Sequence, residues 1–225
     1  KHEQLLLMPH EEFRDRTALA DLTINVGLGN VDMTSVSSLI KRDILVSRDA
    51  SALTHSVSLD LGVAAANPIL LVPSNLRDTT DIRQFTQEIR FASNGKGPFQ
   101  WLLGGFFSNQ HRFYRQRLPT PGIDVVYDGI LGAGTSVAAA NGFPLNSPYN
   151  SDLPYKDRQY AFFGEANIKM AKWMTVTAGA RYFDFSEKRI FKSGGIFSND
   201  DNNFDKTSSS GLTERFIASF DLRDD

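Results

Sequence analysis

Hydrophobic and polar residues alternate along much of the chain, and the alternation is clearest in "QYAFFGEANIKMAKWMTVTAGARYFDF", residues 159–185. Tyr160, Phe162, Gly164, Ala166 and Ile168, then Met174, Val176, Ala178, Ala180 and Tyr182, make one apolar face. Ala161, Phe163, Glu165 and Asn167, then Thr175, Thr177, Gly179 and Arg181, make the other. A period of two is that of a β-strand, and two such runs around a short polar break predict a hairpin. The same reading along the whole chain predicts an all-β fold. It is an antiparallel meander of about seven long strands, near 21–28, 31–48, 81–92, 99–115, 159–169, 174–190 and 211–222.

The connections sort by length. Short turns fall at 29–30, 93–98 and 171–173, and long loops at 49–80, 118–157 and 191–210. Successive connections of a meander emerge at opposite ends, so all short turns lie at one end and all long loops at the other. Transmembrane β-barrels sort their connections this way. Several runs also exceed the five to six residues usual in soluble sheets, and the roughly 9–11 that cross the hydrocarbon of a bilayer. The face opposite the apolar one carries Glu88, Arg90, Glu165, Arg181 and Arg215. So many charges suit a wet lumen and not a dry barrel core. A soluble sheet that turns this face to water has the same pattern. Trp173, directly after a short turn, is a candidate for the aromatic girdle at a membrane interface, or else a core residue.

Composition narrows the chemistry. The 225 residues suffice for one large or two small domains, and a net charge of −2 points to neither nucleic acid nor an acidic surface. With no cysteine there is no disulfide and no thiolate metal site, while 17 Phe and 17 Gly suit strands separated by turns. No run approaches 18 consecutive apolar residues, which excludes a transmembrane helix but not a transmembrane barrel. The N-terminus, "KHEQLLLMPHEEF", lacks the form of a signal peptide.

Motifs that invite a chemical reading are weak. "DGILGAGTSVAAANG" (128–142) is ordered G-x-x-G-x-G and lies in no βαβ unit, so it reads as an external loop with a short helix, not a nucleotide site. "NDDNNFD" (199–205) offers oxygen ligands but lacks the glycine and final Glu of a calcium loop. His2, His10, His55 and His111 have no metal-binding spacing. No nucleophile elbow or isolated carboxylate pair marks an enzyme, and no cofactor or metal is expected.

"FTQEIRFAS" (85–93), "PFQWLLGGFF" (98–107), "QYAFFGEANI" (159–168), "MTVTAGARYFDF" (174–185) and "GLTERFIASFDLRDD" (211–225) form a series in this order. The series resembles the barrel domain of TonB-dependent outer-membrane receptors, of alphaproteobacterial type, over residues from about 20 to 225. The resemblance implies a 22-stranded barrel in the outer membrane of a Gram-negative bacterium, closed by an N-terminal plug. It implies active uptake of a scarce nutrient, most often a ferric siderophore, with the TonB complex pulling on the plug. The partners would be outer-membrane lipid, TonB and a small-molecule or metal-chelate substrate. The chain itself shows no plug and no TonB box, and it ends in "LRDD" instead of a terminal aromatic strand. The expectation is an internal section of 1–225 that starts in an external loop and ends at a periplasmic turn. Glu88, Arg90, Glu165, Arg181 and Arg215 would line the lumen. Phe113, Tyr114, Tyr127, Phe143, Tyr149 and Tyr155, in or beside the external loops, are candidates for stacking on a ligand. A passive porin and a soluble all-β binding module are the alternatives.

Overall fold

The computed structural model describes residues 11–63 and 72–221; His2, His10 and the predicted strand end at 222 lie outside them. Seven strands form one sheet in sequence order: β1 (Glu12–Gly27), β2 (Val31–Asp49), β3 (Asn75–Ser93), β4 (Phe99–Arg117), β5 (Asn150–Ala171), β6 (Met174–Gly194) and β7 (Asn202–Phe220). Every neighbouring pair is antiparallel. The short turns fall where the polar breaks predict them. At the other end the strands run further than the alternation indicates: β1 begins at Glu12, β3 at Asn75, β5 at Asn150 and β7 at Asn202. The long loops are correspondingly shorter, and two of them carry helices: α1 (Ser51–Asp60), then α2 (Ile123–Leu131) and α3 (Thr135–Ala139).

The register fixes the lean of the strands. Gly27, at the first short turn, is level with Asp32, Ala92, Leu102, Glu165 and Gly179 along the hydrogen-bonding direction. The third short turn lies beyond Ala171, about six residues or roughly 19 Å further along β5. Four strand spacings, also roughly 19 Å, separate the two turns sideways. Short turns lying in one plane therefore require strands inclined by about 45°, the lean of membrane barrels.

Each face of the sheet has one character. Leu22, Ile24 and Val26 on β1, Leu103 on β4, Phe162 and Ile168 on β5, Tyr182 on β6 and Phe216 on β7 share one face and are exposed; Phe162 is 67% and Phe216 75% accessible. Asp184 on β6 and Glu214 on β7 interrupt this face. No helix among the described residues is long and apolar enough to cross a membrane. The conventional core is small and lies at the long-loop end, where Val63, Ile123 and Tyr127 are fully buried and Val72, Val126, Ile196 and Phe197 pack on them.

Candidate functional site: the polar wall and the loop cap

All five predicted charges project from the same face, opposite the apolar one. Glu88 and Arg90 are two apart on β3 and form an ion pair along the strand. Glu165 on β5 pairs with Arg215 on β7, reaching across the strand between them. The register explains the reach. Glu165, Gly179 and Arg215 form one row, and Gly179 contributes no side chain to stand in the way. A Cβ at Gly179 would sit 3.5 Å from the Glu165 carboxylate. Among the described residues Arg181 has no carboxylate in ion-pair range; its guanidinium lies over the rings of Phe163 (5.7 Å) and Phe106 (5.9 Å). The Phe163 ring in turn reaches over Gly104, where a Cβ would meet it at 2.4 Å, and Phe183 reaches over Gly211, where a Cβ would meet its ring at 3.1 Å. Aromatic rings laid over strand glycines restore the packing that glycine forfeits. Four exposed or half-exposed charges therefore neutralise in pairs, and the fifth rests on aromatic carbon.

Nearer the long loops the same face becomes richer in arginine and aromatic groups. Arg112 lies 4.0 Å over the Tyr155 ring, and Arg189 pairs with Asp205 at 3.0 Å. Asp78, largely buried, accepts from Arg48 (2.7 Å) and from the Tyr114 hydroxyl (3.0 Å). Burial, then the adjacent Asp78 charge, pushes the Tyr114 phenol up to about 12. The Nε of Arg112 is buried without a partner in the described structure.

The candidate loop aromatics separate into different roles. Tyr155 is a strand residue on β5, since that strand begins at Asn150. Phe113 and Tyr114 belong to β4. Phe143 stays in the second long loop, with Arg117 at 4.9 Å and Lys192 at 5.1 Å over its ring. Tyr149 is half-buried immediately before β5. Tyr127 does not face solvent at all. Its ring is fully buried on α2, and its hydroxyl lies 2.6 Å from the Ser58 hydroxyl of α1. Ser58 already donates to the Thr54 carbonyl (2.7 Å), so Tyr127 is the donor. Phe197, from the third loop, meets the ring edge-on at 6.1 Å. Tyr127 therefore joins all three long loops into one cap and is not free to stack on a ligand. Burial raises its phenol pKa, and the nearby Asp124 charge adds to the rise.

The glycine run near Asp128 serves the same cap. Gly132 (φ 111°) and Gly134 (φ 85°) let the chain break between α2 and α3. The Asp128 carboxylate accepts the amides of Ser136 (2.8 Å) and Gly134 (3.2 Å), the groups a phosphate would need. Those amides hold the Asp128 pKa down. In the third loop, Asp201 accepts from Ser193 (3.1 Å) and Asp200 from Ser198 (3.2 Å). Among the described residues no group of three or more His, Asp or Glu could hold a metal ion. Trp173 is 56% exposed at the third short turn and stacks on Phe220, 6.0 Å away, so no core encloses it.

A sheet with one apolar face, one charged face and sorted connections fits the wall of a barrel, and comparison with solved structures agrees. The ferric yersiniabactin uptake receptor FyuA of Yersinia pestis superposes on 96% of the chain, with a TM-score of 0.69 at 11% identity. The fold is that of a section of a TonB-dependent receptor barrel. The siderophore receptor PiuA of Acinetobacter baumannii superposes on 93% of the chain, with a TM-score of 0.59 and again 11% identity. The chain spans 27% and 30% of the lengths of these two receptors. No family model matches the sequence, and no curated protein matches it.

Proposed function

We propose that the chain is part of an outer-membrane receptor that takes up a scarce nutrient by active, TonB-dependent transport, with a ferric siderophore or another iron complex as the substrate class. The carrying observation is the division of the sheet into an exposed apolar face and a face of paired charges. In this reading the apolar face meets lipid, with Trp173 and Phe220 at the short-turn interface. Phe85, Phe107 and Tyr160, whose rings pack at 6.2 and 5.1 Å, mark the other. The polar face then lines the lumen, where Glu88, Arg90, Glu165, Arg181 and Arg215 solvate the wall and dock the plug. Substrate meets the wall higher up, at Arg112, Tyr155 and Arg189, whose guanidinium and aromatic groups suit an anionic, aromatic-bearing chelate. The two solved receptors of like fold, one for ferric yersiniabactin and one for siderophores, support the substrate class.

The test is uptake of radiolabelled ferric siderophores by cells that express the full-length protein, with and without a protonophore. Iron accumulation that requires both the protein and the proton gradient is expected. Protein-dependent permeation that persists after the gradient collapses would replace the active receptor with a passive porin. A full-length protein that stays soluble without detergent would refute the membrane reading.

A further inference from the structure

The apolar face holds one carboxylate that the sheet leaves alone. Glu214 stands on β7 between Leu212 and Phe216, opposite Ala180 and diagonal to Ala178 and Tyr182 on β6. It is exposed, and among the described residues no cation lies in ion-pair range of it. On its β6 side a depression of about 540 Å³ opens outward, with Trp101, Ala166, Ala178 and Phe216 in its lining. The strand lean sets the depth. Glu214 lies six residues before the end of β7 at Phe220, which at 45° is roughly 14 Å from the short-turn side. The apolar band of an outer-membrane barrel is about 25 Å tall, so the carboxylate sits near its middle. Asp184 differs. It lies ten residues into β6, roughly 23 Å up and at the edge of the band, with Arg158 diagonal to it.

An ionisable side chain at that depth is costly unless it is neutralised, and so it points to a partner. β6 offers none, which leaves the free edge of β7. Among the described strands β7 pairs with β6 alone, so its other edge can take a further strand. Residues directly or diagonally opposite on such a strand stand roughly 5 to 8 Å away, within reach of a long cationic side chain. Where carboxylates of the described sheet are paired across strands the partner is an arginine, as in Arg42–Asp15, Arg115–Asp81 and Arg189–Asp205. Every outward Arg or Lys on the described strands lies towards the long loops, so a second upright copy brings no cation to this depth. The other free edge makes no such demand, because β1 presents Ala18, Ala20, Leu22, Ile24 and Val26 to the same face.

We propose that the free edge of β7 is the docking surface for a strand that presents an arginine or lysine on its outward face level with Glu214, and that this pair, inside the apolar band, fixes the register of the two strands. A slip of one residue would turn the cation into the lumen and leave Glu214 unpaired in hydrocarbon. The inference rests on the apolar face meeting lipid, as proposed above.

The test uses the full-length protein, first its sequence and then its stability in detergent micelles. The strand next to β7 carries Arg or Lys on its outward face, directly opposite Glu214 or two residues to either side. Neutral or acidic residues at all of those positions overturn the proposal. Denaturant unfolding then measures the pair in a double-mutant cycle: Glu214→Gln, that cation changed to Gln, and both together. Each single change lowers the folded-to-unfolded ratio about tenfold, and the double change lowers it no further. Additive losses overturn the proposal, as does Glu214→Gln without loss. If the single variants do not fold, the exchanged pair decides, Glu214→Arg with the cation changed to Glu. An exchanged pair that folds supports the proposal, and one that fails as the single variants do overturns it. Protein that never enters micelles or membranes overturns the membrane reading instead, a separate outcome.

Discussion

Tyr127 is the residue on which the loop cap turns, and its removal makes a graded prediction. In Tyr127→Phe the ring stays, with its contacts to Val63, Ile123 and Phe197, and only the 2.6 Å hydrogen bond to Ser58 is lost. Ser58 keeps its bond to Thr54, so no donor is orphaned and the cost is about 1 kcal/mol. That raises the population of the opened cap roughly fivefold. In Tyr127→Ala the whole ring goes from a fully buried site, at a cost of about 4 kcal/mol, or close to a thousandfold. Amide hydrogen exchange on the detergent-solubilised, full-length protein reads these populations directly. The expected signature is simultaneous: α1, α2 and residues 194–198 all exchange faster by the same factor, while amides in the middle of the sheet do not change. Faster exchange in α2 alone would refute the argument, because it would mean that the three loops do not share a core. The phenol adds a pH dependence. Its pKa is raised by burial, so its contribution is complete below the ordinary value of 10.0 and is lost as pH rises through the raised one. The cap loosens in alkali, and Tyr127→Phe loses that alkaline step.

Gly104→Ala places a methyl group 2.4 Å from the Phe163 ring and costs about 1–3 kcal/mol in thermal or denaturant unfolding. Combining it with Phe163→Ala costs less than the sum of the two single changes, a coupling that a double-mutant cycle measures. Asp128 holds two amides at the start of α3 as a carboxylate of lowered pKa, so the α3 turn is protected above 3.8 and loosens as pH falls through the folded value. Hydrogen exchange at residues 134–140 reports the step, and Asp128→Asn abolishes it. Asp78→Asn removes a charge beside Tyr114 and brings its titration down from about 12 towards 10.0 in a spectrophotometric titration. Burial is the larger cause, so the return is incomplete.

The alternation made the meander legible wherever one face of a strand meets an apolar medium and the other a polar one. β2, predicted at 31–48, runs over Val31–Asp49, and β4, predicted at 99–115, runs over Phe99–Arg117. The pattern failed at the long-loop end, in "NLRDTT" before residue 81, "NSDLPYKDR" before 159 and "NNFDKTSSS" before 211. These stretches are strands with polar groups on both faces, as expected where strands project beyond the apolar band into water on either side. Nothing alternates there, so nothing marked them. α1 escaped for a related reason: its buried residues are Ser51, Thr54 and Ser58, so its inner face is not apolar. The five charged wall residues were readable as one face because parity along a strand is a local property. Their partners were not, because the Glu165–Arg215 contact depends on a glycine in a third strand. Tyr127 looked like a recognition residue because its partners, Ser58 and Phe197, are distant in sequence.

Seven is an odd number, and in an antiparallel sheet that has a consequence for assembly. β1 and β7 both run towards the short turns. Two upright copies of this sheet set edge to edge would bring β7 of one beside β1 of the other in parallel, against the alternation that the rest of the sheet keeps. A copy that paired antiparallel, β1 to β1 or β7 to β7, would have to stand upside down and carry its loop cap to the opposite side of the membrane. The first breaks the antiparallel alternation, and the second breaks the common orientation. A strand that continues the antiparallel ladder on either edge runs from the short-turn side to the long-loop side, a direction that neither β1 nor β7 of an upright copy has.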